Sequence, residues 1–216
     1  MNILFDLDGT LTDSYQGITR CIAHALSALG RTSPPQEGLR WCIGPPLRHS
    51  FATLLETADE KLVNEALTLY RKRFGTVGLF ENEVYRHVPE TLGALQQKGH
   101  TLYVATSKPA VYAQRIIDHF GLRQYFKTVY GSELDGRLGD KKSLIQHILQ
   151  TESIDISEAS MVGDREHDMI GAKANGVAGF GVLWGYGTRE ELEVSGATAC
   201  LGSPQELLPV FNGKVK

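Results

Sequence analysis

The sequence predicts an α/β fold: a doubly wound parallel sheet, Rossmann-like in its layout, carrying an inserted helical cap domain. Three observations predict it. Short apolar runs alternate with helix-period segments over most of the chain, the pattern of a parallel sheet covered by helices on both faces. A block of consecutive helical patterns breaks that rhythm after the first apolar run. Carboxylates, a hydroxyl pair and lysines follow the ends of the apolar runs, at the edge where open α/β sheets bind ligands.

The first strand spans 2–6, built on Ile3-Leu4-Phe5, and runs into Asp6-Leu7-Asp8-Gly9-Thr10. Residues 14–80 then read as helices: Gln16–Leu29, a turn at Thr32-Ser33-Pro34-Pro35, a piece over 36–42, Pro46–Glu56, and Glu60–Phe74. Gly44-Pro45-Pro46 breaks two of them apart. This block is expected to be an accessory domain, 14–80, on a core of 1–13 and 81–216. It should sit over the carboxyl edge of the sheet, hinged near 13–15 and 79–83. Strands follow at 101–105, 127–130, 159–163 and 179–183, with helices near 89–98, 109–120, 141–150 and 166–175. Gly121 and the Asn175-Gly176 pair read as helix stops. A short strand near 198–200 and a helix near 204–211, with Ser203 as N-cap and Pro204 in its first turn, close the pattern.

Size and composition narrow the field. The 216 residues are 42% hydrophobic and 22% charged, with a net charge of −3, ordinary values for a globular chain. No basic tract runs along it, so a nucleic-acid partner is not expected. No apolar run approaches the ~20 residues that span a bilayer, and no signal peptide is read at the start. Cys21, Cys42 and Cys200 are scattered and are read as reduced structural thiols of a cytoplasmic protein. No membrane partner is expected, and the chain is read as a monomer or homodimer.

Two like charges, Asp6 and Asp8, at the mouth of a buried strand oppose each other's ionisation. Burying them without partners is costly, so something cationic must join them. Three more features come to the same edge. Strand 101–105 ends in Thr106-Ser107-Lys108-Pro109, strand 159–163 in Asp164 with Asp168 four residues on, and Lys141-Lys142 start a helix. Asp164 and Asp168 share a face if 165–175 is helical. The plainer readings are a helix cap for Thr106 and dipole-favoured acids for Asp164 and Asp168.

With these motifs in register, the chain resembles the haloacid dehalogenase-like hydrolase superfamily: Asp-x-Asp-Gly-Thr, a Thr/Ser after a later strand, a lysine before a helix, and Gly-Asp-x-x-x-Asp. Gly44-Pro45-Pro46-Leu47 and the 131–136 stretch Gly-Ser-Glu-Leu-Asp-Gly are similar to its phosphoglycolate phosphatase-like members, which carry a helical cap. The resemblance implies a phosphatase whose partner is a small phosphorylated metabolite, working through an aspartyl-phosphate intermediate. Asp6 would be nucleophile and metal ligand. Asp8 would be the acid and base, with its backbone carbonyl on the metal. Gly9, Thr106 and Ser107 would hold phosphate, Lys141 would hold the phosphoryl group and Asp6, Asp164 would ligate the metal, and Asp168 would act through a water or the lysine. The adjacent Lys142 leaves the choice of site lysine open. Four aspartates against one lysine leave an excess of negative charge, and an oxygen-only donor set suits Mg²⁺.

The cap should select the substrate. Arg48, beside His49 at a helix start, is the first candidate, with Arg20 and Arg40 as rivals. Tyr15, Trp41, Phe51 and Tyr70 are read as cap core, and Lys108 and His167 as exposed. Phosphoglycolate-like substrates come first, a nucleoside 5′-monophosphate next, and sugar-phosphate transfer as in β-phosphoglucomutases after that. Phosphonate cleavage through a cap lysine, Lys61 or Lys72, ranks low, because both sit on a helix that reads as solvated. Dehalogenation leaves Asp8 without a role.

Overall fold

In the computed structural model, which describes residues 1–212, six parallel strands form one sheet. The strands are β1 (Asn2–Phe5), β4 (Thr101–Pro109), β5 (Thr128–Ser132), β6 (Ala159–Gly163), β7 (Ala178–Val182) and β8 (Ala199–Leu201), in the order β5-β4-β1-β6-β7-β8. β1 pairs with β4 on one side and β6 on the other. The chain therefore reverses its direction of winding at β1, the switch point where a crevice opens beyond the strand ends. β1 and β6 are apolar along nearly their whole length and almost fully buried, as central strands covered on both faces must be.

Helices α4 (Val88–Gln97), α5 (Ala110–His119), α6 (Lys141–Thr151), α7 (Glu166–Ala174) and α8 (Arg189–Val194) connect the strands. On one face Leu4, Tyr103, Ala105 and Met161 meet Leu144, Ile145 and Ile148 of α6 and Ala172 of α7. That core fixes how α6 and α7 approach the strand ends. The final segment is a 3₁₀ turn, Pro204–Glu206, leading into α9, Leu207–Phe211, rather than one helix from 204. Tightened first turns of this kind are common at helix starts.

Two compact units are present. One is Met1–Thr12 with the chain from Val84 onward; the other is Asp13–Glu83. The crossings are made in short strands absent from the sequence reading, β2 (Thr12–Asp13) and β3 (Glu83–Val84), which pair with each other. The helical unit holds α1 (Tyr15–Ala28), a 3₁₀ stretch Gln36–Cys42, α2 (Leu47–Leu54) and α3 (Glu60–Arg73). Its core includes Phe51, Tyr70 and Phe74, with Tyr70 stacked on Phe74 at 5.1 Å. Trp41 is not core; it is 38% exposed. The 3₁₀ stretch repeats every three residues, so Leu39 and Cys42 turn inward and Trp41 turns away. Tyr15 is half-buried.

Candidate active site

The site is built at the carboxyl ends of β1, β4 and β6. β1 stops at Phe5, and Asp6 donates its backbone N–H to the Val162 carbonyl at 2.9 Å, which extends the ladder one residue. Its side chain is 6% exposed. The next turn is held by Leu7, whose carbonyl accepts from the N–H groups of Leu11 and Thr12. Gly9 sits there at φ +87°, and a Cβ would lie 2.1 Å from Asp164 Oδ2. Only glycine meets both the backbone demand and the close approach.

Lys141, the first residue of α6, is buried, and its neighbour Lys142 is exposed. The Lys141 Nζ donates to the Ala105 carbonyl at 2.8 Å and lies 2.8 Å from Asp6 Oδ1 and 2.6 Å from Asp168 Oδ1. Three partners match the three donors of an ammonium. Gly171 of α7 makes this possible, because a Cβ there would stand 2.7 Å from the Lys141 Cβ. Burial alone would lower the lysine's pKa, but Asp168 and Asp6 outweigh it and hold it above its ordinary value. Burial is also the main force on Asp6, whose pKa rises to about 6 against the pull of Lys141.

Asp164 follows β6 but precedes α7, so it does not share a helix face with Asp168 as expected; α7 begins at Glu166. The two converge all the same. Asp6, Asp164 and Asp168 each place a carboxylate oxygen within 4.8 Å of the others. Asp164 accepts from the Thr10 hydroxyl at 3.3 Å and from the Tyr186 backbone N–H at 2.8 Å. Burial, then the nearby Asp6 and Asp168, push its pKa well above the ordinary carboxylate range. Asp168 also accepts from the Arg165 N–H at 3.1 Å. Of these three buried carboxylates only Asp6 and Asp168 pair with the Lys141 ammonium, and all the donors are oxygens. This set fits a hard divalent cation such as Mg²⁺, which would reverse the upward pull on the acids.

The third wall carries the largest departure from expectation. β4 does not end at 105. It continues to Pro109, with its register to β5 slipping between Thr106 and Pro109. Such a bulge re-aims side chains. Lys108, expected to be exposed, instead has a side chain only 7% exposed, with its Nζ 2.6 Å from Asp8 Oδ1. Thr106 is buried and Ser107 half-buried beside it. His167 is 39% exposed, in line with the surface reading.

The loop after β7 was missed. Trp184 donates its indole N–H to the Thr10 carbonyl at 3.0 Å. A Cβ at Gly185 would stand 2.3 Å from the Gly9 carbonyl, and one at Gly187 2.0 Å from the Asp164 carbonyl. The available signal was Trp-Gly-Tyr-Gly following an apolar strand, since alternating glycines mark close backbone approach.

In the helical unit, Arg48 ion-pairs with Glu60 and donates to Asn64 at 2.7 Å. Arg20 lies 3.0 Å from Glu81, which Arg73 also holds. Arg40 and His49 are exposed.

A sheet switch point crowned by these aspartates and a buried lysine defines a class, and sequence comparison agrees. A family model of haloacid dehalogenase-like hydrolases matches residues 3–182, and the chain belongs to that family. It is 50% identical over 191 residues to a 5′-nucleotidase of Pseudomonas aeruginosa, covering 88% of this chain and 86% of that one. It is 30% identical to a phosphoglycolate phosphatase of Vibrio parahaemolyticus, covering 96% and 94%. A crystal structure of a predicted phosphatase from Clostridium acetobutylicum superposes with a TM-score of 0.93 at 39% identity, covering 98% and 97%.

Proposed function

We propose that the protein hydrolyses small phosphate monoesters with Mg²⁺, through an aspartyl-phosphate formed on Asp6. The chain is a phosphoric monoester hydrolase by family; the nucleophile, metal and substrate are our reading. The observation that carries it is the buried cluster in which Lys141 bridges Asp6 and Asp168 while Asp164 stands alongside. A surplus of buried negative charge is costly to hold, and such clusters concentrate at functional sites.

In the first half-reaction an Asp6 oxygen attacks phosphorus and the bond to the ester oxygen breaks. Asp8 gives its proton to the departing alcohol. In the second, Asp8 takes a proton from a water that attacks phosphorus, and Asp6 is released with phosphate. The Thr106 hydroxyl and the Ser107 N–H would hold phosphoryl oxygens, with the Gly9 turn supplying further N–H groups. Lys141 offsets charge between nucleophile and phosphate. Asp6, Asp164, Asp168 and the Asp8 carbonyl would hold Mg²⁺, which supplies positive charge for the phosphoryl oxygens when bound.

For the substrate, the half-identical 5′-nucleotidase favours a nucleoside 5′-monophosphate. Phosphoglycolate is the second reading, favoured by the relative at 30% identity. The guanidinium of Arg48, its proposed carboxylate reader, is already engaged by Glu60 and Asn64, which lowers that reading. A cytoplasmic setting accords with Cys21, Cys42 and Cys200, which form no disulfide among the described residues. Among the described residues no helix is long and apolar enough to cross a membrane. The test is a panel of nucleotides, phosphoglycolate and sugar phosphates with Mg²⁺, ranked by kcat/KM. Nucleotides at the head support the reading, phosphoglycolate at the head reverses the order, and no turnover of any ester refutes the phosphatase mechanism.

A further inference from the structure

We propose that Lys108 is a positioning residue that holds the Asp8 carboxyl for proton transfer, an inference that rests on the acid–base role given to Asp8. The ammonium lies 2.6 Å from Asp8 Oδ1, and the two side chains are 7% and 10% exposed. The pair is reached across 100 residues of sequence, and the backbone between is shaped for it. At the β4 bulge the Lys108 N–H donates to Thr106 Oγ1 at 3.2 Å, and Ser132 Oγ donates to the Ser107 carbonyl at 2.8 Å. Gly131 lies so close beneath that a Cβ would stand 2.5 Å from the Lys108 carbonyl. Three side-chain and backbone devices therefore fix where the Lys108 chain leaves the strand. Lys141 serves Asp6 and Asp168, so the two buried lysines divide the work. With Oδ1 held by Lys108, Oδ2 is the oxygen left to give and take the proton. The ion pair selects one rotamer of a short side chain that would otherwise have several, and fixed geometry of this kind governs proton-transfer efficiency.

The test compares kcat/KM for an alkyl phosphate, whose alcohol needs a proton to leave, with p-nitrophenyl phosphate, whose phenolate does not. Both are measured on wild type, Lys108→Met, Lys108→Arg and Asp8→Asn, and on the Lys108→Met/Asp8→Asn double variant. Lys108→Met is expected to lower the alkyl value at least thirtyfold and the aryl value less than threefold, with Lys108→Arg recovering part of the loss. In the Asp8→Asn background the same change should cost nothing further, since residues acting as one unit are not additive. Equal losses on both esters, or full additivity, would overturn the inference. Failure of the underlying reading looks different: Asp8→Asn itself would then leave the alkyl substrate unharmed.

Discussion

The two units of this molecule use charge in opposite ways. In the helical unit ion pairs are balanced and at least partly wet: Arg48 with Glu60 at 50% and 74% side-chain exposure, Arg73 with Glu81 at 23% and 20%. At the sheet edge Asp6, Asp164, Asp168 and Lys141 are all nearly inaccessible, and three carboxyl groups meet one ammonium. Exposed pairs are screened and contribute little. A buried imbalance destabilises the fold unless something external completes it. The difference teaches where to look for chemistry: at charges that the protein buries without balancing.

The largest expected effect is at the unbalanced end. Asp6→Asn should lower kcat by at least ten-thousandfold, about 5 kcal/mol in the barrier, with circular dichroism unchanged. Activity within tenfold of wild type would remove Asp6 as nucleophile. Next, Lys141→Met strips the ammonium from two buried carboxylates. In EDTA at pH 7.5 its urea-unfolding free energy should fall by about 4 kcal/mol, and Mg²⁺ should restore part of it. An unchanged stability would mean that the cluster is not strained as described.

The third prediction uses pH. Burial lifts Asp6 from an ordinary 3.8 to about 6, so between those values the folded state keeps a proton that the unfolded chain has released. Stability present below pH 3.8 is then lost as pH rises through about 6, by on the order of 3 kcal/mol from this group. In EDTA, Asp6→Asn should therefore show a flatter fall in melting temperature across that window than wild type. Parallel curves would count against the burial-driven shift. The smallest effect belongs to the balanced end. Arg48→Ala should cost less than ~1 kcal/mol in stability and should lower kcat/KM alike, or not at all, for phosphoglycolate and p-nitrophenyl phosphate. A selective loss on phosphoglycolate would return Arg48 to the substrate site and blur the contrast between the units.

The sequence by itself determined the layers of the fold, the helical insertion and the family, because these follow from local periodicity and from motifs that sit at strand ends. Asp6, Asp164 and Thr106 were legible since each directly follows an apolar run. Tertiary structure alone decided between Lys141 and Lys142, because helix phase and the close approach at Gly171 set which one points inward. It also turned Lys108 inward through a β-bulge, which leaves no periodic trace, and turned Trp41 outward through a 3₁₀ repeat. The loop from Trp184 to Gly187 reaches Thr10 and Asp164 only because sheet order places β6 and β7 side by side, next to β1. Local pattern tells a residue which element it joins. The order of strands and the phase of helices decide which distant residue it meets.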